Sequence, residues 1–185
     1  MTAGGAADGL GGSDSEWSLY WTDRHVEIPQ GFLPLLDTWA DIDAREIAAG
    51  IDRHTAIFLD PTGHLDPRLA QYTRRSRFAF MTTDSQESYA KDDRLFFTFL
   101  WQRGKNWDEA DPDDIQDYDS WRRRSEDNPE RIGGAKWGRE LAAFIQLYSW
   151  ARDNGHIVRS PVLTHTVRLR EGGTAEVADE SPKDV

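Results

Sequence analysis

Between residues 82 and 155 apolar side chains return at helical spacing in three separate runs. Thr82, Thr83, Asp84 and Ser85 supply the hydroxyls and the carboxylate that start a helix. Beyond them Tyr89, Phe96, Phe97 and Leu100 line one side until Gly104 stops the run. A second helix is predicted from Asp111-Pro112, where an acidic first turn suits the positive end of the helix dipole. Its stripe is Ile115, Tyr118 and Trp121, it ends near Ser125, and residues 128–134 form a loop. The third run is the most regular. Trp137, Leu141, Phe144, Ile145 and Tyr148 fall at i, i+4, i+7, i+8 and i+11, and Asn154-Gly155 closes the helix in the left-handed conformation. Pro161 bars immediate continuation. The pattern predicts a mainly α fold: a small orthogonal cluster of three helices, with a further short element after Pro161.

The pattern is weaker on either side. Pro29, Gly31 and Pro34 break residues 17–53 into short pieces, with a short helix at 40–49. Residues 54–60, His-Thr-Ala-Ile-Phe-Leu-Asp, read as a strand that ends in the turn Pro61-Thr62-Gly63. A helix starts at Pro67 and runs to residue 77. The chain therefore divides into a leader (1–16), a mixed N-terminal arm (17–80), the helical domain (81–163) and a tail (164–185). Leader and tail are poor in apolar residues and are expected to be disordered.

Composition adds limits. The 185 residues have room for one ordinary domain with appendages, and the 38% hydrophobic fraction agrees with a packed middle between solvated ends. No apolar run approaches the roughly 20 residues that cross a bilayer, and the first fifteen residues lack the charged and apolar regions of a signal peptide. The absence of cysteine excludes disulfides, thiolate metal sites and cysteine nucleophiles, and fits a cytoplasmic protein.

The net charge of -11 argues against a nucleic-acid partner until its distribution is considered. Seven acids and no base lie between Asp108 and Asp119, whereas Arg122 to Arg159 carries eight bases against five acids. One face can be basic on an acidic molecule.

The ordered set Ser85, Tyr89, Phe96-Phe97, Leu100, Arg103-Gly104, Trp107-Asp108-Glu109, Asp113-Asp114, Tyr118 and Trp121-Arg122 resembles a known family. It continues through Gly133-Gly134, Arg139, Leu141, Phe144, Tyr148-Ser149-Trp150-Ala151, Gly155 and Ser160-Pro161. The resemblance covers about 80 residues and is to the SAM-like core-binding domain that opens tyrosine recombinases, the phage-integrase family. Asp93 departs from it, because the family places an apolar residue there; either the register slips or the first helix packs less tightly. The resemblance implies a module that closes one half of a clamp around double-stranded DNA, without a cofactor. By position, Thr82, Thr83 and Ser85 at the first helix start would touch phosphates, since hydroxyls and free N–H groups at a helix N-terminus suit phosphate oxygens. Arg122, Arg123 and Arg124 would contact the backbone, and Lys136 and Arg139, three residues apart, would enter a groove together. Each has a plainer reading: helix caps for the hydroxyls, a solvated helix end for the arginine run, and surface solubility for Lys136 and Arg139. The aromatic residues read as core.

Three other signals carry less. His156-Ile-Val-Arg159 spells the His-x-x-Arg of the recombinase catalytic domain, but it falls in the exit loop after the third helix. No tyrosine follows Tyr148, so the tyrosine nucleophile of the family's chemistry is missing, and the chain reads as a non-enzyme truncated before the catalytic domain. His54 and His64 lack metal spacing and read as exposed, and the acidic run lacks the glycine and terminal glutamate of a calcium loop. The expected function is thus DNA binding in integration and recombination. The alternatives are a protein-interaction module that pairs with a full-length recombinase or with itself, and an unrelated small helical protein.

Overall fold

The computed structural model describes residues 15–22, 54–168 and 174–178, and within them the protein is mainly helical. The chain runs through β1 (Ser18–Trp21), β2 (Ala56–Leu59), α1 (Pro67–Arg75), a 3-10 turn (Arg77–Phe80) and α2 (Thr83–Trp101). A second 3-10 turn (Trp107–Glu109), α3 (Pro112–Arg123), α4 (Gly134–Asp153), β3 (Thr164–Arg168) and β4 (Thr174–Ala178) follow. The helix expected at 40–49 and most of the leader lie outside the described residues.

Local chemistry sets the helix starts. Asp66 caps α1 by accepting from the Arg68 N–H at 2.8 Å, with Pro67 in the first turn. Thr82 caps α2, and its Oγ1 accepts from the Ser85 N–H. Asp111 and Asp114 cap α3 reciprocally: Asp111 Oδ1 accepts from the N–H groups of Asp113 and Asp114, and Asp114 Oδ2 accepts from the Asp111 N–H. Lys105 Nζ bridges both carboxylates at 2.7 Å. Much of the acidic run therefore serves as caps and ion pairs. Gly155, at φ 72°, supplies the left-handed exit from α4.

The core is aromatic. Phe96 on α2 lies 4.7 Å from Phe144 on α4 and 5.0 Å from Tyr118 on α3, so one ring joins the three long helices. Tyr148 donates its hydroxyl to the Trp107 carbonyl at 2.7 Å, and Trp107 Nε1 donates to Asp66 at 2.8 Å, which ties α4 through the second 3-10 turn to the start of α1. The expected stripes are core: Phe96, Phe97, Leu100, Ile115, Tyr118, Trp137, Leu141, Phe144 and Tyr148 are all buried, and Tyr89, Trp121 and Ile145 pack against them.

Two stretches form strands that the pattern did not single out, and two expectations, for His54 and Asp93, are corrected. Residues 18–21 form a strand that pairs antiparallel with β2, Ser18 opposite Leu59 and Trp21 opposite Ala56; buried Trp17 anchors it against Phe97 and Trp101. The tail is not wholly irregular. β3 and β4 pair antiparallel from Thr164↔Ala178 to Arg168↔Thr174, and Ala178 reaches the core. Thr, His and Val alternate in β3, a strand preference that charged composition hides. His54 is half-buried, with its ring stacked on Trp21 at 4.2 Å and Nε2 3.5 Å from Glu87, whereas His64 is exposed as expected. Finally, Asp93 neither shifts the register of α2 nor loosens it. It sits fully buried, and neither carboxyl oxygen has a hydrogen-bond partner among the described residues.

Candidate nucleic-acid interface

The cationic side chains expected to meet DNA are mostly engaged inside the molecule. Arg122, at the end of α3, is 1% exposed; Nη2 donates to Glu140 Oε1 at 2.7 Å, Nε to Oε2 at 3.3 Å and Nη1 to the Glu130 carbonyl at 3.1 Å. Its guanidinium ties α3 to α4 and cannot reach a phosphate, so the expectation for Arg122 is corrected. Burial pushes the Glu140 carboxyl above its usual range, with the hydrogen bonds and charge of Arg122 opposing. Arg123 Nη1 donates to Asp119 at 3.1 Å, and Arg124 Nη2 bonds to the other oxygen of the same carboxylate. Arg139 makes a two-point contact with Asp92 on α2, Nε to Oδ2 at 3.0 Å and Nη2 to Oδ1 at 2.9 Å. Lys136 is exposed on the first turn of α4, and its charge reaches Asp92 and Glu140.

These pairings have a common cause. Side chains at i and i+4 on a helix are neighbours, which brings Asp119 to Arg123. Glu140 and Asp92 become partners only when the helices pack, across 18 and 47 residues of chain. An arginine run read along the chain shows the cations but not the carboxylates that the fold places opposite them.

The hydroxyls are where the spacing put them. Thr82 and Thr83 are exposed at the start of α2, and Thr82 Oγ1 donates to Ser85 Oγ at 2.8 Å. Beside them lies positive charge that the sequence reading passed over. From Pro67 to Thr83 there are four arginines and no acid, in a chain of net charge -11. Arg68 is taken up by Asp66 and Asp108, and it lies over the Trp107 ring at 4.9 Å. Arg74, Arg75 and Arg77 are exposed at the corner where α1 passes through the 3-10 turn into α2, and Arg75 and Arg77 have no carboxylate partner among the described residues. The acid-free stretch was the signal that could have found them.

The corner is held rigidly. Ser76 accepts from the Phe78 N–H at 3.0 Å, and Gln86 on α2 donates to the Phe78 carbonyl at 3.0 Å. Gln146 on α4 reaches Met81 Sδ at 3.2 Å, while Phe78 is buried against Tyr72. Arg77 thus sits on an anchored turn, and Arg74 and Arg75 at the end of α1, beside the first turn of α2, where Thr82 Oγ1 takes the Ser85 N–H and Asp84 is exposed. An open groove beside α1, lined by Leu65, Pro67, Ala70, Gln71, Arg74 and Arg75, extends the surface along the helix. The arrangement offers hydrogen-bond donors and positive charge to an anion. Among the described residues no group of three or more metal-ligating side chains converges, and no helix is long and apolar enough to cross a membrane.

No family model matches the chain, and no curated protein or solved structure matches it significantly.

Proposed function

We propose that the protein is a DNA-binding module, of the kind that opens tyrosine recombinases. It meets the phosphate backbone through the corner between α1 and α2 and not through the end of α3. One observation carries this reading: the acid-free stretch from Pro67 to Thr83 sets Arg74, Arg75 and Arg77 on the surface beside the Thr82 and Thr83 hydroxyls. Arginine, hydroxyl groups and a helix N-terminus are the three donor types that position duplex backbones. Arg123, Arg124 and Arg139 add little, because phosphate would have to displace a carboxylate already in place.

With two or three phosphates neutralised, binding is weak and salt-dependent. A dissociation constant of micromolar order is expected at about 50 mM salt, and about 12- to 40-fold weaker binding at about 200 mM. Fluorescence anisotropy with a labelled duplex of about 25 base pairs measures both. Changing Arg74, Arg75 and Arg77 together to glutamine is expected to abolish the interaction, and changing Lys136 and Arg139 to reduce it less than threefold. No binding by the unaltered protein at the lower salt sinks the proposal.

A second reading is a protein-interaction module that pairs with an intact recombinase or with a second copy of itself. The internal neutralisation of Arg122, Arg123, Arg124 and Arg139, on a chain of net charge -11, favours it. Co-purification with a recombinase that survives nuclease treatment supports that partner over DNA.

A further inference from the structure

The 3-10 turn at the corner carries two phenylalanines with opposite fates. Phe78 is 1% exposed and packs on Tyr72, whereas Phe80 is 87% exposed. In a 3-10 helix, side chains three residues apart eclipse one another. Arg77 and Phe80 therefore stand on the same edge of the turn, with the Thr82 and Thr83 hydroxyls immediately beyond. A bare phenyl ring beside a guanidinium that has no carboxylate partner among the described residues is the pairing that single-stranded nucleic acid binds, the cation on the backbone and the ring under a base. Duplex DNA cannot use the ring in the same way. Along its length it presents base edges in the grooves and hides base faces in the stack.

We propose that this corner prefers DNA with an unstacked base, a single strand or a locally opened duplex, and that Phe80 is the platform on which the base lies. The inference rests on the phosphate-binding reading of the corner and names the form of DNA it selects. Arg75 and Arg77 hold the backbone, and the Phe80 face takes the adjacent base without distinguishing its identity, since every base has a π-face. Anchoring of the turn through Ser76 and Gln86 holds the ring out in solvent before any ligand arrives.

The test compares three labelled probes on the full chain: a single strand of about 20 thymidines, a blunt duplex of similar length, and that duplex with a central unpaired loop. The expected result is tighter binding of the single strand and the looped duplex than of the blunt duplex. Phe80→Leu keeps an apolar side chain but removes the ring, and Phe80 is exposed, so the fold and Tm are expected to be unchanged. This variant is expected to weaken the single strand by about 5- to 150-fold and the blunt duplex by less than about twofold, whereas Arg77→Gln weakens all three probes. Equal affinities for the three probes, or a Phe80→Leu effect that is absent or the same on every probe, overturns the inference and leaves duplex binding standing. Failure of the unaltered protein to bind any probe overturns the phosphate reading and this inference with it.

Discussion

Replacing Glu140 with leucine is expected to destabilise the protein by about 3–5 kcal/mol, which lowers Tm by roughly 6–20 °C for a chain of this size. The cause is the partner left behind. Arg122 and Glu140 are 1% and 0% exposed, and Arg122 spends two of its nitrogens on Glu140 and a third on the Glu130 carbonyl. Without Glu140 a full positive charge stays buried with one neutral acceptor. Arg122→Met leaves the converse, a buried carboxylate, and is expected to cost a similar amount. The double change Arg122→Met with Glu140→Leu is expected to recover most of the loss, because it removes both desolvation penalties and fills the space with apolar atoms. Thermal unfolding by circular dichroism measures the cycle. A Glu140→Leu protein within about 1 kcal/mol of the parent would show that the pair is hydrated and worth no more than a surface contact.

Asp93 predicts the opposite sign. Asp93→Leu is expected to raise stability at neutral pH by about 1–3 kcal/mol, since it exchanges a buried carboxyl without partners for an apolar fork of the same shape. Burial, and after it the charge of Asp92, pushes the Asp93 carboxyl well above the carboxylate range. The pH dependence follows. Below its folded value and above the unfolded one, the native state holds a proton that the unfolded chain has lost, so stability falls as pH rises through that window. Asp92 and Glu140, also raised by burial against their arginine partners, act in the same sense. Asp66 opposes: despite the cost of burial, hydrogen bonds from Arg68 and Trp107 hold it below the usual range. Asp111, held low by Lys105, and Asp60, held low against burial by Thr62 and His64, oppose as well. Their contribution is present above the unfolded carboxylate range and is lost on acidification through their folded values. The parent is therefore expected to be most stable at mildly acidic pH, near 5. Asp93→Asn, neutral at every pH, is expected to flatten the neutral-to-acid slope without the gain in stability. A Tm that rises steadily from pH 5 to 8 would contradict this account.

The three long helices were legible because their apolar residues repeat at the helical period and their starts carry hydroxyls, carboxylates or proline in the right places. Trp137, Leu141, Phe144 and Tyr148 on α4 mark a buried face by spacing alone, and all four are buried. The strands were less legible. Four residues at 18–21 are too short for an alternation to stand out, and their strand character depends on pairing with β2 from beyond residue 55. The hairpin of β3 and β4 was masked by the charged composition around it.

The candidate site divides along the same line. Cap hydroxyls act on N–H groups two or three residues away, so the capping role of Thr82 was legible from the chain alone. The arginines are long, and their partners are chosen by packing. Arg122 and Arg139 looked available because Glu140 and Asp92 lie one or more elements away in sequence. Arg75 and Arg77, on which the proposal rests, were signalled by a negative feature, the absence of acid from Pro67 to Thr83, which an inventory of positive charge passes over. Asp93 stood out only as a departure from the apolar position that the resemblance implies, and the slip or looser packing expected from it did not follow; it is buried within α2. That it has no hydrogen-bond partner among the described residues is set by packing; burial first, and the charge of Asp93 after it, raises the nearby Tyr72 and Tyr148 phenols.

The Trp17 amide donates to Thr98 Oγ1 at 3.1 Å across 81 residues, and the Trp17 ring lies against Phe97 and Trp101. During synthesis the tryptophan leaves the ribosome long before the helix that will cover it exists. At bacterial or eukaryotic elongation rates the interval is roughly 4 to 16 s. For that time the bulky indole is open to chaperones and to other nascent chains, and the strand edge beside it is open until β2 has been made. Completion of α2 ends this exposure and, in the same event, gives the N-terminal strand its place.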